Sequence, residues 1–434
     1  MRIVQRSRRS GLRERPTPSG ILDSPYPKRW DASCARKAAQ HWRRSHQNVL
    51  TIMLTLNETA RALSELCAAG ATLGIIYNLF AAILVMRFER PSRSRSSMLP
   101  SVTVLKPLHG SEPGLFNRLA CLCTQDYPKK LQLICGTQAT TDTAIDLVRL
   151  LARRHPETRI DLVVDERTRG TNRKISNLVN MEPKAHHELI VLSDSDILVD
   201  KQFVSRIVAE LEHSRAGAVS CAYYGVAIGD IWARASALNI NSQFLPNVIV
   251  ALTFGATKPC FGSAIAMHKS TLKRIGGLKP FLDELADDYA IGRAVRSTGL
   301  DVVIPHFAVG HVCFEHSFQE FWERHMRSSR TIRSIDPVGY IGILFMHPLM
   351  LSLMAAIIGT SHPFSLIAVA FASRAVLTSS VERAFKLEPQ RLWLVAVHDA
   401  ISFAVFVSSF FGAVVAWRGS AYRILHDGTI EDEN

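Results

Sequence analysis

The chain has 434 residues, 47% of them hydrophobic, and a formal net charge of +13. That length accommodates one large domain with something added, and the apolar fraction is at the upper end for a soluble protein. Its eight cysteines show neither CxxC pairs nor metal-ligand spacing, which argues against a disulfide framework and for reduced thiols, and no nucleic-acid-binding motif accompanies the charge.

Residues 1–58 form a basic arm. "MRIVQRSRRSGLRERP" and "RKAAQHWRRSH" carry much of the positive charge without hydrophobic periodicity, so the arm is expected to be unstructured. The plain reading is an unfolded extension, or a true start at Met53; contact with anionic phospholipid is the next. Within residues 59–88, the run Leu66 to Met86 carries no charge, and roughly 20 such residues suffice for a membrane-crossing helix. It lies too deep in the chain for a cleaved signal peptide. Arg87, Arg90, Arg93 and Arg95 come directly after it, while Arg61 before it is balanced by Glu58 and Glu65. The positive-inside rule therefore places the chain after Met86 in the cytoplasm.

From residue 97 to 333 the pattern changes. "VTVLKPL", "LQLICG", "IDLVVD" and "ELIVLSD" read as strands; "EPGLFNRLACLC", "DTAIDLVRLLARRH" and "KQFVSRIVAELEHS" read as helices between them. Such alternation predicts a mostly parallel sheet covered on both faces. Ligands of such sheets collect beyond the carboxyl ends of the strands, and there stand Asp194 and Asp196, one residue apart. Two such carboxylates make a hard oxygen site for Mg²⁺ or Mn²⁺, whose shell phosphate and water complete; the plain alternative is a solvated acidic turn.

"NINSQFLPNVIVALTFG" is a helical stretch, either a core helix or a cover for an acceptor. "LDELADDYAIGRAV" opens a helix with Asp287 and Asp288. Acids there suit the helix dipole; alternatively one is a general base. His306, His311 and His316 recur every five residues, which fits no usual zinc motif. In "SFQEFWERHMRSSRTIR", Ser317 and Glu320 make a capping box, and Arg324, Arg327, Arg330 and Arg333 share a helix surface. Those arginines suit either lipid headgroups or a departing diphosphate. Metal, base and arginines together describe sugar transfer from a nucleotide diphosphate to a hydroxyl, where a cytosolic donor meets a membrane-dissolved acceptor.

Residues 337–417 hold three apolar stretches, "VGYIGILFMHPLMLSLMAAIIG", "PFSLIAVAFASRAVLTSS" and "WLVAVHDAISFAVFVSSFFGAVVAW". The first and third are long enough to cross a membrane, and Arg374 makes the middle one marginal. Three crossings would leave the tail, residues 418–434, outside, against the charge of Arg418 and Arg423; one stretch is then expected to lie in the interface.

The blocks "VTVLKPLHGSEPGLFNRLACLCTQDYP", "GTNRKISNLVN", "VLSDSDILVD", "GSAIAMHKSTLKRIGGL", "LADDYAIGRAV" and the arginine helix resemble, in order, those of the ceramide glucosyltransferase family, glycosyltransferase family 21. "RTIRSIDPVGYIGILFMHPL" is most similar to its bacterial hopanoid-biosynthesis branch, which adds N-acetylglucosamine to bacteriohopanetetrol. The resemblance implies a GT-A fold, inverting displacement, a UDP-sugar donor, a divalent cation, a lipid acceptor and residence in a bacterial inner membrane. It implies Asp194 and Asp196 for metal and diphosphate, Asp288 for the base, Arg324 and Arg327 for the start of the family's arginine motif, and Lys106, Gly170, Asn172, Lys174 and Asn177 for the nucleotide pocket. Two positions depart from the pattern. Ala139 stands where the family has an aspartate, and Ser328 where it has a tryptophan. Ceramide or diacylglycerol glucosylation is the alternative within the class; a catalytically decayed scaffold is the alternative outside it.

Overall fold

The computed structural model describes residues 32–89, 99–214, 216–255, 259–412, 414–417, 420–424 and 429–432. The chain divides into two compact units, Met1–Thr59 and Ala60–Asn434. Residues 1–31 of the expected basic arm, Arg90, Arg93, Arg95 and Arg418 lie outside the described residues. For the rest of the arm the expectation needs correction, because a single helix runs Ala32–Met86. The arm's Ala, Arg, Lys, Gln and Leu are good helix formers, and they continue a helix whose nucleation cost is already met.

The strands are β1 (Val102–Pro107), β2 (Leu131–Thr137), β3 (Arg159–Val164), β4 (Leu189–Ser193), β5 (Ile197–Leu198), β6 (Ala218–Ser220), β7 (Ala222–Ala227), β8 (Ala264–His268), β9 (Val302–Val303), β10 (Ala308–Cys313), β11 (Val414–Trp417), β12 (Ser420–Ile424) and β13 (Ile430–Asp432). The main sheet has the order β3-β2-β1-β4-β8-β6-β9. Its first four members are mutually parallel, and β8 runs antiparallel to both neighbours. β1 and β4 are buried throughout because helices cover both faces, which is why they read as unbroken apolar runs. Val102, Val104 and Leu133 pack with Leu115, Leu119, Val148 and Ile207 on one face; Leu105, Ile134 and Ile190 pack with Ile175, Leu178 and Ile291 on the other. This is the mixed α/β sheet of a GT-A type domain. Strand order reverses between β1 and β4, and a crevice opens at such a switch point.

A second sheet, β5-β10-β7, sits beyond the end of β4. Its pairing sets His311 directly opposite Ile197.

The apolar C-terminal region corrects the expected crossings. Pro363–Ala384 and Leu392–Ser409 are long and apolar enough to cross a membrane, so the stretch containing Arg374 is not the weak one. The first stretch is broken into Pro337–Met346 and Pro348–Ile358, bent by 69°, because Pro348 cannot continue the preceding turn. The third stretch ends at Ser409. Its "VVAW", rich in β-branched and aromatic residues, forms β11 and pairs antiparallel with β12. The expected tail is thus partly a β-meander, in which Ile430 N donates to Asp283 O at 3.1 Å, and Val415, Tyr422 and Ile430 pack on Leu285. This C-terminal meander touches the domain that precedes the apolar region, so both ends of that region come together.

Candidate active site

The reversal point carries Asp194, Ser195 and Asp196, and the turn is built from below. Lys106, wholly buried at the end of β1, donates its ammonium to Asp194 O and to Ile197 O at 3.3 Å. It therefore sits under the turn and holds it by two backbone carbonyls. Burial lowers its pKa to about 8, yet two carboxylates nearby keep the charged form useful. Arg118 is equally buried. Its Nε donates to Ser195 O at 2.9 Å and its Nη2 to Glu112 at 2.7 Å, while Ser195 Oγ donates to Glu112 at 2.8 Å. The turn is thus clamped at its middle residue, and the flanking carboxylates diverge.

Asp194 Oδ1 meets Lys174 Nζ at 2.9 Å, and the same ammonium meets Asp287 Oδ2 at 2.8 Å. Burial opposes the Lys174 charge, but Asp194, Asp287 and Asp288 outweigh it and hold its pKa above the usual lysine value. Asp288 is anchored by Gly262 N, which donates to Oδ2 at 2.8 Å. Burial, and next Asp287, push its carboxyl up to about 6. That suits a general base, which works best with a pKa close to ambient pH. Asp287 is instead engaged by Lys174.

Asp196 points to the other side. Its Oδ2 lies 3.4 Å from His311 Nε2, and its Oδ1 is buried without a hydrogen-bond partner. Burial works to raise its pKa, and His311, then Arg324, Lys106 and Arg118, outweigh that and hold it below the usual range. Burial pushes His311 down to about 4, so its imidazole is neutral at neutral pH. Arg324 also meets His311 Nε2 and donates to Glu315 at 2.6 Å; a guanidinium only donates, so Nε2 carries the lone pair. Two acceptors, Asp196 and His311, then face each other, and the His311 lone pair is taken up by Arg324.

What fits a hard divalent cation is the orphaned buried carboxylate oxygen of Asp196; Asp194, across the turn, is paired with Lys174. Among the described residues no three ligand side chains already converge as a metal cluster. Mg²⁺ and Mn²⁺ often take only one or two protein ligands and complete the shell from a substrate's phosphates. Spacing alone does not single out His311 from His306 and His316. His306 stacks its ring edge-on to Phe88 at 5.9 Å, and His316 uses its backbone N–H on Glu320.

The glycine-asparagine block serves the framework more than the pocket. Gly170 has φ +62°, and a Cβ there would fall 2.7 Å from Leu282. Asn172 caps the helix Arg173–Met181, accepting from Ile175 N at 3.1 Å and donating to Glu284 O at 2.9 Å. Asn177 donates to Gly136 O at 2.8 Å, and its Oδ1 is buried without a partner at the ends of β1 and β2. Lys174 alone of the block reaches the carboxylates. Ala139 is exposed just past β2. Asp142 is used elsewhere, accepting from Gly110 N at 3.0 Å and Ala144 N at 2.8 Å.

The arginine helix, Phe318–Ile335, starts at the expected capping box, with Glu320 N donating to Ser317 Oγ at 3.1 Å. Its arginines have different uses. Arg324 belongs to the site, and Arg327, one turn on, is half-buried. Arg330 donates to Phe411 O at 2.7 Å and Arg333 to Gly412 O at 3.2 Å, which ties them to the chain ahead of β11. Ser328 is exposed.

Among curated proteins, the chain is similar to Ceramide glucosyltransferase 1 of Caenorhabditis elegans, 26% identical over 207 residues, which is 48% of this chain and 44% of that protein. It is also similar to Ceramide glucosyltransferase of Gibberella zeae, 30% identical over 177 residues, 36% of this chain and 34% of that protein. The chain thus matches less than half the length of these relatives. Among solved structures it is similar to mannosyltransferase PcManGT from Pyrobaculum calidifontis in complex with GDP-Man and Mn²⁺, with 20% identity, a TM-score of 0.48, and coverage of 81% of this chain and 99% of that one. The family model described as Glycosyl transferase family 21 matches residues 66–430, and with that match over most of its length the chain belongs to glycosyl transferase family 21.

Proposed function

We propose that this protein transfers a sugar from a nucleotide-diphosphate donor, a UDP-sugar, to the hydroxyl of a membrane lipid, with inversion at the sugar carbon. The observation that carries the reading is the division of labour among four acids at one strand switch point. Asp194 and Asp287 share one ammonium, Asp196 is left with an unpartnered oxygen beside a neutral imidazole, and Asp288 is held as a carboxyl of raised pKa. Such divergence of pKa separates the roles of acids in one site.

In this reading Asp288 accepts the proton of the attacking hydroxyl, and Gly262 N–H fixes the orientation of its carboxylate. Asp196, joined by Asp194 on exchanging Lys174 for the ion, would hold Mg²⁺ or Mn²⁺, which when bound would offset the negative charge on the departing diphosphate. Arg324 and Lys174 supply fixed positive charge on either side of the acids, Lys106 and Arg118 keep the turn from relaxing, and Asn177 Oδ1 faces the nucleotide end. None of these groups has to reorganise during transfer. Two helices long and apolar enough to cross a membrane come directly after the domain, which suits an acceptor that stays in the bilayer. The charge around the first apolar helix supports a cytoplasmic domain, and the reading sets the protein in a bacterial inner membrane.

For the acceptor, the stretch across Arg330 to Leu349 favours a hopanoid such as bacteriohopanetetrol, with N-acetylglucosamine or glucose as the sugar. The names of the similar curated proteins favour ceramide as the second reading. Purified protein offered UDP-sugars with hopanoid, ceramide and diacylglycerol acceptors separates them by the mass of the product. Failure to turn over any donor would favour a decayed scaffold.

A further inference from the structure

Arg374 is wholly buried in the helix Pro363–Ala384, where an ionisable group is costly and calls for a reason. It binds Asp399 of the helix Leu392–Ser409 through Nε at 2.8 Å and Nη2 at 2.6 Å, a bidentate pair. Its remaining donors leave both helices: Nη1 donates to Ser242 O at 2.8 Å and Nη2 to Ser242 Oγ at 2.9 Å. Ser242 belongs to a π-helical turn, Ile240–Phe244, between the α-helices Ile231–Asn239 and Leu245–Thr253. Turns of this kind are uncommon and recur at functional sites.

Consecutive residues of the turn are fastened in two directions. Gln243 Oε1 accepts from Ser402 Oγ at 3.0 Å, so Ser242 and Gln243 are tied to the apolar helices. Asn241 instead exchanges two hydrogen bonds with Gly225 of β7, at 2.8 and 2.9 Å. Phe244 stacks on Tyr223 of the same strand with ring centroids 4.2 Å apart and meets Phe261 edge-on at 5.3 Å. Tyr223 lies 5.1 Å from the His311 ring, and Phe261 precedes Gly262, whose N–H holds Asp288. The turn therefore joins the membrane helices to an aromatic wall beside the proposed base and metal ligands.

Resting on the function proposed above, we propose that Arg374 and Asp399 are positioning residues for the lipid acceptor: they fix the Ile240–Phe244 turn so that Tyr223, Phe244 and Phe261 frame the approach of the acceptor hydroxyl to Asp288. The nucleotide end, marked by Asn177, is not in this chain of contacts, and Lys174 and Asp194 adjoin it only at Gly262, its far end. Disturbing the pair should then affect the acceptor and spare the donor.

The test replaces the pair by apolar residues, Arg374→Met with Asp399→Leu, because a lone buried charge would endanger folding whereas an apolar pair is commonly tolerated. With full-length protein in lipid nanodiscs, kcat/KM for the lipid acceptor should fall about 10- to 100-fold, the scale on which small misplacements act, while donor KM changes less than about twofold. Slow hydrolysis of the UDP-sugar by water should persist, and amide hydrogen exchange should quicken over residues 240–244 but not over β4. Unchanged exchange at the turn, unchanged acceptor kinetics, or an equal loss of donor binding and hydrolysis each overturns the proposal. Should the double variant not fold, Ser242→Ala with Gln243→Met keeps the ion pair and must give the same one-sided loss. Wild-type protein that glycosylates no lipid would overturn the proposed function, while the exchange measurement still judges the joint.

Discussion

The chain holds two buried charge clusters that are finished differently. Around Arg374 and Asp399 one cation meets one anion in a bidentate pair, and every remaining guanidinium donor used there has a protein acceptor. Around Asp194 and Asp196 two of four acids share one ammonium, one oxygen of Asp196 has no partner, and Asp288 holds its proton more tightly than a free aspartate. A closed pair is complete without a ligand and holds elements together. An incomplete set carries a desolvation cost that only an additional cation or a proton relieves, so it marks the place where chemistry is expected.

The largest effect expected from this contrast is loss of the cation. EDTA should take sugar transfer to background and added Mg²⁺ or Mn²⁺ should restore it; turnover indifferent to chelation would show that the open cluster needs no metal. Asp288→Asn should lower kcat by about 10² to 10⁴-fold, the usual worth of a general base, with the dissociation constant of the donor unaltered in a direct binding measurement.

A pH profile sharpens the same point. The base acts when ionised, so kcat/KM should rise with pH and level off above about 6, the value to which Asp288 is raised. Below that, the rate should fall about tenfold per pH unit, as a single essential ionisation requires. The sign for stability is opposite. A carboxyl with a raised native pKa binds its proton better folded than unfolded, so its contribution to stability is present at low pH and is lost as pH rises through about 6. A profile flat from pH 5 to 8 would remove Asp288 from the role.

Smaller effects come from the supports. Arg118→Met frees Ser195 and should raise the Mg²⁺ or Mn²⁺ concentration for half-maximal activity by about tenfold, because the turn would no longer be preorganised. The smallest is Ala139→Asp, which should lower donor KM a few-fold, within the roughly 1 to 3 kcal/mol that a buried hydrogen bond to a base is worth; an unchanged KM would mean that this exposed position no longer meets the nucleotide.

Much of this site is legible in the sequence because its markers are local. Asp194 and Asp196 announce themselves by ending an apolar strand, and Asp287 and Asp288 by opening a helix. Lys106 and Asn172 are assigned to the pocket by family resemblance alone, and the contacts that show one supporting the turn from below and the other capping a helix are not legible in the sequence. His311 is hidden among three histidines, since what selects it is the antiparallel pairing of β10 with β5, a contact between segments far apart in the chain. Arg374 looks like an interruption of a membrane helix for the same reason: its partner Asp399 is 25 residues away on the next one. The stretch "VVAW" reads as the end of a crossing because hydrophobicity alone does not separate a membrane helix from a buried strand.

The central claim is that the open cluster moves a sugar onto a lipid hydroxyl with Asp288 as the base. The most direct measurement is mass spectrometry of lipids after purified full-length protein, in nanodiscs with Mg²⁺ or Mn²⁺, is given UDP-sugars and hydroxylated lipid acceptors. The account predicts a lipid heavier by one sugar residue with the wild-type chain and almost none with Asp288→Asn. A product formed equally by both proteins, or by neither, would contradict it.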